Sequence, residues 1–176
     1  MKTKPMLTFS FLCATAAIAS GPDERPAPEA FRRGHSAHGD AFDVGPRERP
    51  WAILGIGSTH FPITTSKPEV QTWFDQGNTL LHNFWYHEAE RSFRWCLKLE
   101  PENAMAYWGL MRAARARDSE KRDAAFMKEA VKRKHKVSER ERMYIEAYEI
   151  LYEPDLGGGD AGAKPKRERF QAALEK

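Results

Sequence analysis

An all-α chain is the fold that the sequence predicts, and three observations predict it. From Ser66 onward, apolar residues recur with a helical period and are punctuated by capping and breaking residues. Between Phe74 and Pro101, large aromatics alternate with the small residues Gly77 and Ala89. Part of that pattern returns after a shift of about 34 residues, the signature of a repeated helical pair. Six helices joined by short turns are therefore expected, preceded by a region of different character.

That preceding region divides into three. Residues 1–19 read as an export signal: Lys2 and Lys4 precede an apolar run from Met6 to Ala19, and Ala17 and Ala19 frame a cut before Ser20. The run is shorter than the ~20 residues needed to cross a bilayer. Cys13 lacks the small preceding residues of a lipid-attachment site. Its removal with the signal would leave Cys96 as the one thiol, so neither a disulfide nor a Cys-x-x-Cys metal site is expected. Residues 20–50, rich in Pro, Gly and charge, read as a flexible linker. His35, His38 and Asp40 within it are metal-binding types, but nothing rigid orients them, and a solvated linker is the reading adopted. Residues 51–65 (WAILGIGSTHFPITT) are apolar and interrupted by Gly55, Gly57 and Pro62, which suggests an irregular segment packed on the domain.

The helical domain is expected over residues 66–176. Ser66 and Glu69 fit a capping box that opens the first helix, with Trp73, Gly77, Leu80 and Leu81 at helical spacing. A second helix covers Tyr86 to Leu99 and stops before Pro101. A third runs from Asn103 to Arg117 and a fourth from Ser119 to Lys134. Ser138 and Glu141 form another capping box, opening a fifth helix to Tyr152. Gly157, Gly158 and Gly159 break the chain, and Pro165 opens a sixth helix still running at Lys176. The 34-residue shift pairs Trp73 with Tyr107, Phe74 with Trp108, Phe93 with Met127, Cys96 with Ala130 and Leu97 with Val131.

The stretch carrying Trp73, Gly77, Ala89, Phe93 and Pro101 resembles a tetratricopeptide repeat, whose small positions let two helices approach while its aromatic positions fill the space around them. Gln76 and Leu80 depart from the family pattern, where Leu and Tyr are usual. The segments HFPITTSKPEVQTWFDQG and NAMAYWGL are similar to the opening of exported bacterial repeat proteins. The resemblance covers residues 68–176. It implies helical hairpins stacked as a short right-handed α-solenoid, with a concave groove lined by the first helix of each hairpin. Because such proteins usually continue with more repeats, the amphipathic end at Lys176 reads as a truncation.

No catalytic constellation emerges. His87-Glu88 lacks the second histidine of a zinc motif, with Arg91 in its place. Cys96 sits on the packed face beside Ala89 and Phe93, so burial is expected, and no general base is nominated for it. Residues 128–142 carry more Lys and Arg than Glu, which reads as a solvated helix end before it reads as a patch for an acidic partner. The formal charge of +3 gives no argument for nucleic acid.

The function expected is therefore that of a non-catalytic, exported scaffold, periplasmic or secreted, with no metal and no cofactor. The resemblance implies a partner-binding groove for a protein or peptide at Gln71, Phe74, Asn78, His82, Trp108, Arg112 and Arg115. Phe74 and Trp108 would be apolar anchors, or else covered by residues 51–65. The family's carboxylate-clamping members carry Lys where Phe74 stands. Two competing readings are a larger enzyme or metal-binding envelope protein with its active part downstream, and a self-associating structural array.

Overall fold

The computed structural model describes residues 44–116, 120–154 and 160–175. The signal and most of the linker lie outside the described residues, as do Cys13, His35, His38, Asp40 and Gly157–Gly159. The described chain is all-helical. Its α-helices are α1 (Pro68–His82), α2 (Tyr86–Leu99), α3 (Ala104–Arg115), α4 (Glu120–Arg133), α5 (Glu139–Glu149) and α6 (Asp160–Leu174). One-turn 3-10 helices follow α4 at Lys134–Lys136 and α5 at Ile150–Tyr152. No strand occurs among the described residues.

The helix starts obey local chemistry, with two corrections. α1 opens at Pro68, not at a Ser66 capping box: Lys67 is the N-cap, in extended conformation, and no side chain caps the helix. The cause is proline. Its ring forces the preceding residue out of the helical region, while its missing N–H costs nothing at the first helical position. Glu69 instead accepts a hydrogen bond from the Trp73 indole at 3.2 Å. At α3, Asn103 Oδ1 caps the Ala106 N–H at 2.9 Å. At α5, the Ser138–Glu141 capping box forms on both sides. The second correction concerns α6, which begins at Asp160 and carries Pro165 in its second turn, where the missing N–H removes one intrahelical bond. α6 ends at Leu174 and does not run to Lys176.

Each helix packs on the next in sequence, and α1, α3 and α5 also touch in order. Phe93 of α2, fully buried, is the centre of this packing. A Cβ placed on Gly77 would lie 2.7 Å from Phe93 Cε1, and one on Gly109 would lie 2.6 Å from Phe93 Cδ1. The ring is therefore clamped between bare backbone on α1 and bare backbone on α3. Ala89 is fully buried on the same helix, as its spacing led one to expect. Gly109 was not legible from the repeat, because the 34-residue shift pairs Gly77 with Met111. Cys96 is also fully buried and its thiol donates to the Val70 carbonyl at 3.4 Å. Burial pushes that thiol far above its ordinary pKa, which makes it a packing group and not a nucleophile.

Residues 44–50, expected within the linker, are packed against α2 and α4. The Val44 carbonyl accepts from the Arg94 and Arg122 guanidinium groups. Glu90, fully buried, pairs with the same two arginines. Glu48 pairs with Arg91 at 2.9 Å, and the Arg49 guanidinium lies 5.7 Å from the Trp95 ring centre. A buried carboxylate flanked by two guanidinium groups gives this stretch a polar anchor that composition alone does not reveal.

Candidate functional site

The face shared by α1, α3 and α5 carries the residues expected to line a groove, and it divides into two parts. Along α1 the face is already occupied by residues 51–65. Gln76 takes both ends of one short stretch of that segment, accepting from the Ile53 N–H at 3.1 Å and donating to the Trp51 carbonyl at 3.1 Å. Gln71 does the same further on, accepting from the Ile63 N–H at 2.9 Å and donating to the Phe61 carbonyl at 2.9 Å. Asp75 accepts from the Phe61 N–H at 3.0 Å, and Asn83 donates to the Ile56 carbonyl at 2.9 Å. Thr79 accepts from the Thr59 N–H, and Asn78 donates to the Thr59 hydroxyl. At the far end, Glu141 of α5 accepts from the Thr64 N–H at 2.7 Å. Helical side chains thus satisfy the backbone of a segment that has no ladder of its own.

Phe61 is the apolar anchor of this strap. Its ring centre lies 6.0 Å from Phe74, 6.2 Å from Trp108 and 5.1 Å from Tyr144, one aromatic from each of α1, α3 and α5. The Arg140 guanidinium sits 4.6 Å from the same ring and donates to the Pro62 carbonyl. Four of the seven expected groove residues are therefore covered, which is the stated alternative for Phe74 and Trp108 and a correction for Gln71 and Asn78. Gln71, Asn78, Phe74 and Trp108 face the chain's own strap, and Phe74 and Trp108 are almost fully buried by it and the core. The physical reason is that an apolar aromatic surface on a short helical array is covered by whatever apolar segment is tethered nearest to it.

The other three, His82, Arg112 and Arg115, line an open cleft of about 440 Å³ beyond the strap. Its apolar walls are Phe84 from the α1–α2 turn, Tyr86 from the start of α2, Tyr148 and Leu151 from α5 and its following turn, and Phe170 from α6. Arg112 lies beside a pair of edge-on rings, 5.1 Å from Trp108 and 5.4 Å from Tyr148. The buried Trp108 indole N–H beside it finds no acceptor. Arg115 lies 3.8 Å from Asp123 and 5.6 Å from the Tyr152 ring. Burial, joined by the hydrogen bond to Asp123 and its charge, outweighs the opposing pull of Arg115 and leaves the Tyr152 hydroxyl well above its ordinary pKa, so it remains a neutral donor to Asp123 at 2.8 Å.

Phe84, Tyr86, Tyr148 and Phe170 were not expected at a site. Tyr148 and Phe170 had only the signal of an amphipathic stripe, and Phe84 stands in a turn where periodicity says nothing.

The basic run at 128–142 is largely neutralised within the fold. Arg133 pairs with Glu129 at 2.7 Å and with Glu102 at 3.0 Å. Lys136 reaches Glu102, and Lys134 reaches Glu149, each at 2.7 Å. The hydrogen bond that Lys134 donates to Glu149 raises the ammonium pKa above its ordinary value. His60 meets Asp75 at 2.7 Å across the strap. Among the described residues no three histidine, cysteine or carboxylate side chains gather as a metal site, and no helix is long and apolar enough to cross a membrane.

Compared with models of protein families, with curated proteins and with solved structures, the chain gave no match.

Proposed function

We propose that this chain is an exported, non-catalytic scaffold of tetratricopeptide-like hairpins, stacked as a short right-handed α-solenoid, that binds a protein or peptide segment on the face of α1, α3 and α5. The observation that carries this reading is the strap. That face holds an extended segment by the means a peptide-binding groove uses: side-chain amides and carboxylates take its backbone groups, and an aromatic cluster takes one side chain. A surface that satisfies one extended segment has the chemistry to satisfy a second in the part left open. Consecutive helix packing with contacts among alternate helices supports the stacked arrangement. Export is supported by the charged start, apolar run and Ala17-x-Ala19 spacing of the first residues.

Selection of a random-peptide display library against the immobilised full chain tests the reading. A recurrent motif is expected. Its synthetic form should bind in isothermal titration to the wild type and to Cys96→Ser, and should bind weakly to Arg112→Ala and Arg115→Ala. No enrichment over a scrambled library, or binding that follows Cys96 and ignores both arginines, would overturn it.

A further inference from the structure

Phe84 occupies a position where the chain gains nothing locally from phenylalanine. The α1 C-terminus closes with the Trp85 N–H on the Leu80 carbonyl at 2.9 Å and the Phe84 N–H on the Leu81 carbonyl at 3.2 Å. This pair of bonds places Phe84 in the left-handed position that glycine usually takes, and its φ is 63°. For a bulky residue that conformation is an outlier. Burial does not compensate, because Phe84 is 75% exposed and its neighbour Trp85 is 53% exposed. The nearest ring is Tyr86, edge-on at 6.2 Å.

Across the cleft, Arg112 is the complementary oddity. The most buried guanidinium groups of this domain meet carboxylates: Arg91 meets Glu48 and Glu88, Arg94 and Arg122 meet Glu90, and Arg133 meets Glu102 and Glu129, while the exposed Arg140 has the Pro62 carbonyl. Arg112 meets two aromatic rings and, among the described residues, no carboxylate. No described carboxylate lines the cleft, whereas His82, Arg112 and Arg115 do. Arg115 has Asp123 as its counter-charge, whereas Arg112 has none among the described residues, and its charge, in one cleft with the exposed Phe84, defines the missing partner by complementarity.

We infer that this cleft takes a peptide segment in which a side-chain carboxylate flanks a large aromatic or aliphatic side chain, the carboxylate meeting Arg112 and the apolar side chain packing on Phe84. The inference rests on the peptide-scaffold reading above and deepens it. Arg112, already oriented by Trp108 and Tyr148, loses little freedom on donating two parallel hydrogen bonds to a carboxylate. Phe84, set by a rigid turn, offers apolar area at small entropic cost.

Three labelled hexapeptides, acetylated and amidated so that only side chains carry charge, test it by fluorescence polarisation on the full chain. They are Asp-Glu-Trp-Leu-Asp-Glu, its amide form Asn-Gln-Trp-Leu-Asn-Gln, and its apolar-deleted form Asp-Glu-Ala-Ala-Asp-Glu. The first should bind at least about tenfold more tightly than either comparator, the loss that follows removal of one anchor. Arg112→Gln should lose the preference for acid over amide. Phe84→Gly should lose the preference for Trp-Leu over Ala-Ala and should melt no lower than the wild type, since glycine suits the turn better. Equal binding of all three peptides, or a Phe84→Gly variant that keeps its preference, overturns the inference. Display selection that yields binders without carboxylates overturns it and leaves the scaffold reading standing. Failure of every peptide, selected or designed, overturns both.

Discussion

Gln71 and His82 stand on one helix that the strap follows as far as Asn83, yet the two side chains have opposite relations to the rest of the chain. Around Gln71 the polar groups of α1 are spent on the strap, each amide taking a main-chain partner. Around His82 the walls are the exposed Phe84 ring, partly buried rings and a guanidinium group with no carboxylate among the described residues. The difference is not in residue type, since both surroundings offer aromatics beside polar groups. It lies in the course of the strap: Phe61 inserts where α1, α3 and α5 meet and Ile56 meets Asn83, which leaves open the cleft lined by His82, Arg112 and Tyr148. One surface therefore serves in one half as a packing surface and in the other as a surface open to a partner.

The platform beneath both halves is the most sensitive to change. Phe93→Ala removes the ring clamped between Gly77 and Gly109 and should lower stability by about 3–5 kcal/mol, as for other buried aromatic truncations. Gly109→Ala attacks the same contact from the opposite side, and overpacking there should cost about 1–3 kcal/mol. Ala89→Leu should cost a similar amount, about 1–3 kcal/mol. Thermal melts followed by circular dichroism decide these three; unchanged midpoints would mean that α1, α2 and α3 do not meet at Phe93.

The strap itself is tested by Phe61→Ala. The ring is only partly buried, so a loss of about 2–3 kcal/mol is expected, toward the lower end for aromatic truncation. Amide hydrogen exchange should accelerate across residues 51–65 while α2 and α4 stay protected. Acceleration spread evenly over all helices would show that strap and platform are one cooperative unit.

A smaller effect comes from acid. Burial alone would raise the Glu100 carboxyl pKa, but hydrogen bonds from Asn103, Thr65 and the Ser66 N–H, with Lys67 nearby, hold it below the usual carboxylate range. Glu129 behaves likewise: burial is outweighed by Lys132 and Arg133. A folded-state pKa below the unfolded one contributes stability that is complete above the ordinary carboxylate range and is lost as pH falls through the folded value. Acidification should thus loosen the Thr65 end of the strap, and Glu100→Gln should reduce the pH dependence of exchange at residues 64–66. An identical pH profile in that variant would remove Glu100 from the account.

Phe84→Gly is expected to have the smallest effect on stability, a gain within about 1 kcal/mol from relief of the left-handed backbone, partly offset by glycine's greater freedom when unfolded. A clear loss of stability in thermal melts would mean that Phe84 is a structural residue and would erase the contrast between the two parts of the face.

The helices themselves were legible because their signals are local. Pro101, the Ser138–Glu141 box and the spacing of Ala89, Phe93 and Cys96 act within one or two turns, and α2 and the start of α5 lie where those residues place them. The capping box at Ser66 and the start of α6 at Pro165 were misread because each rests on choosing between two local starts. At Ser66 the restriction imposed by Pro68 prevailed.

By itself, the sequence determined an all-α domain, the packed faces of its helices and the burial of Cys96, since period and side-chain size suffice for these. Only the tertiary structure decided that residues 44–50 dock on the helices, which helical groups hold residues 51–65, that Glu90 gathers two arginines, and that the groove residues divide into a covered set and an open one. These depend on contacts between residues far apart in the chain, such as Thr64 with Glu141 and Val44 with Arg122. No pattern within a helix encodes which polar groups a distant segment will satisfy, because that choice is made by where the packed helices leave their unpaired donors, acceptors and apolar hollows.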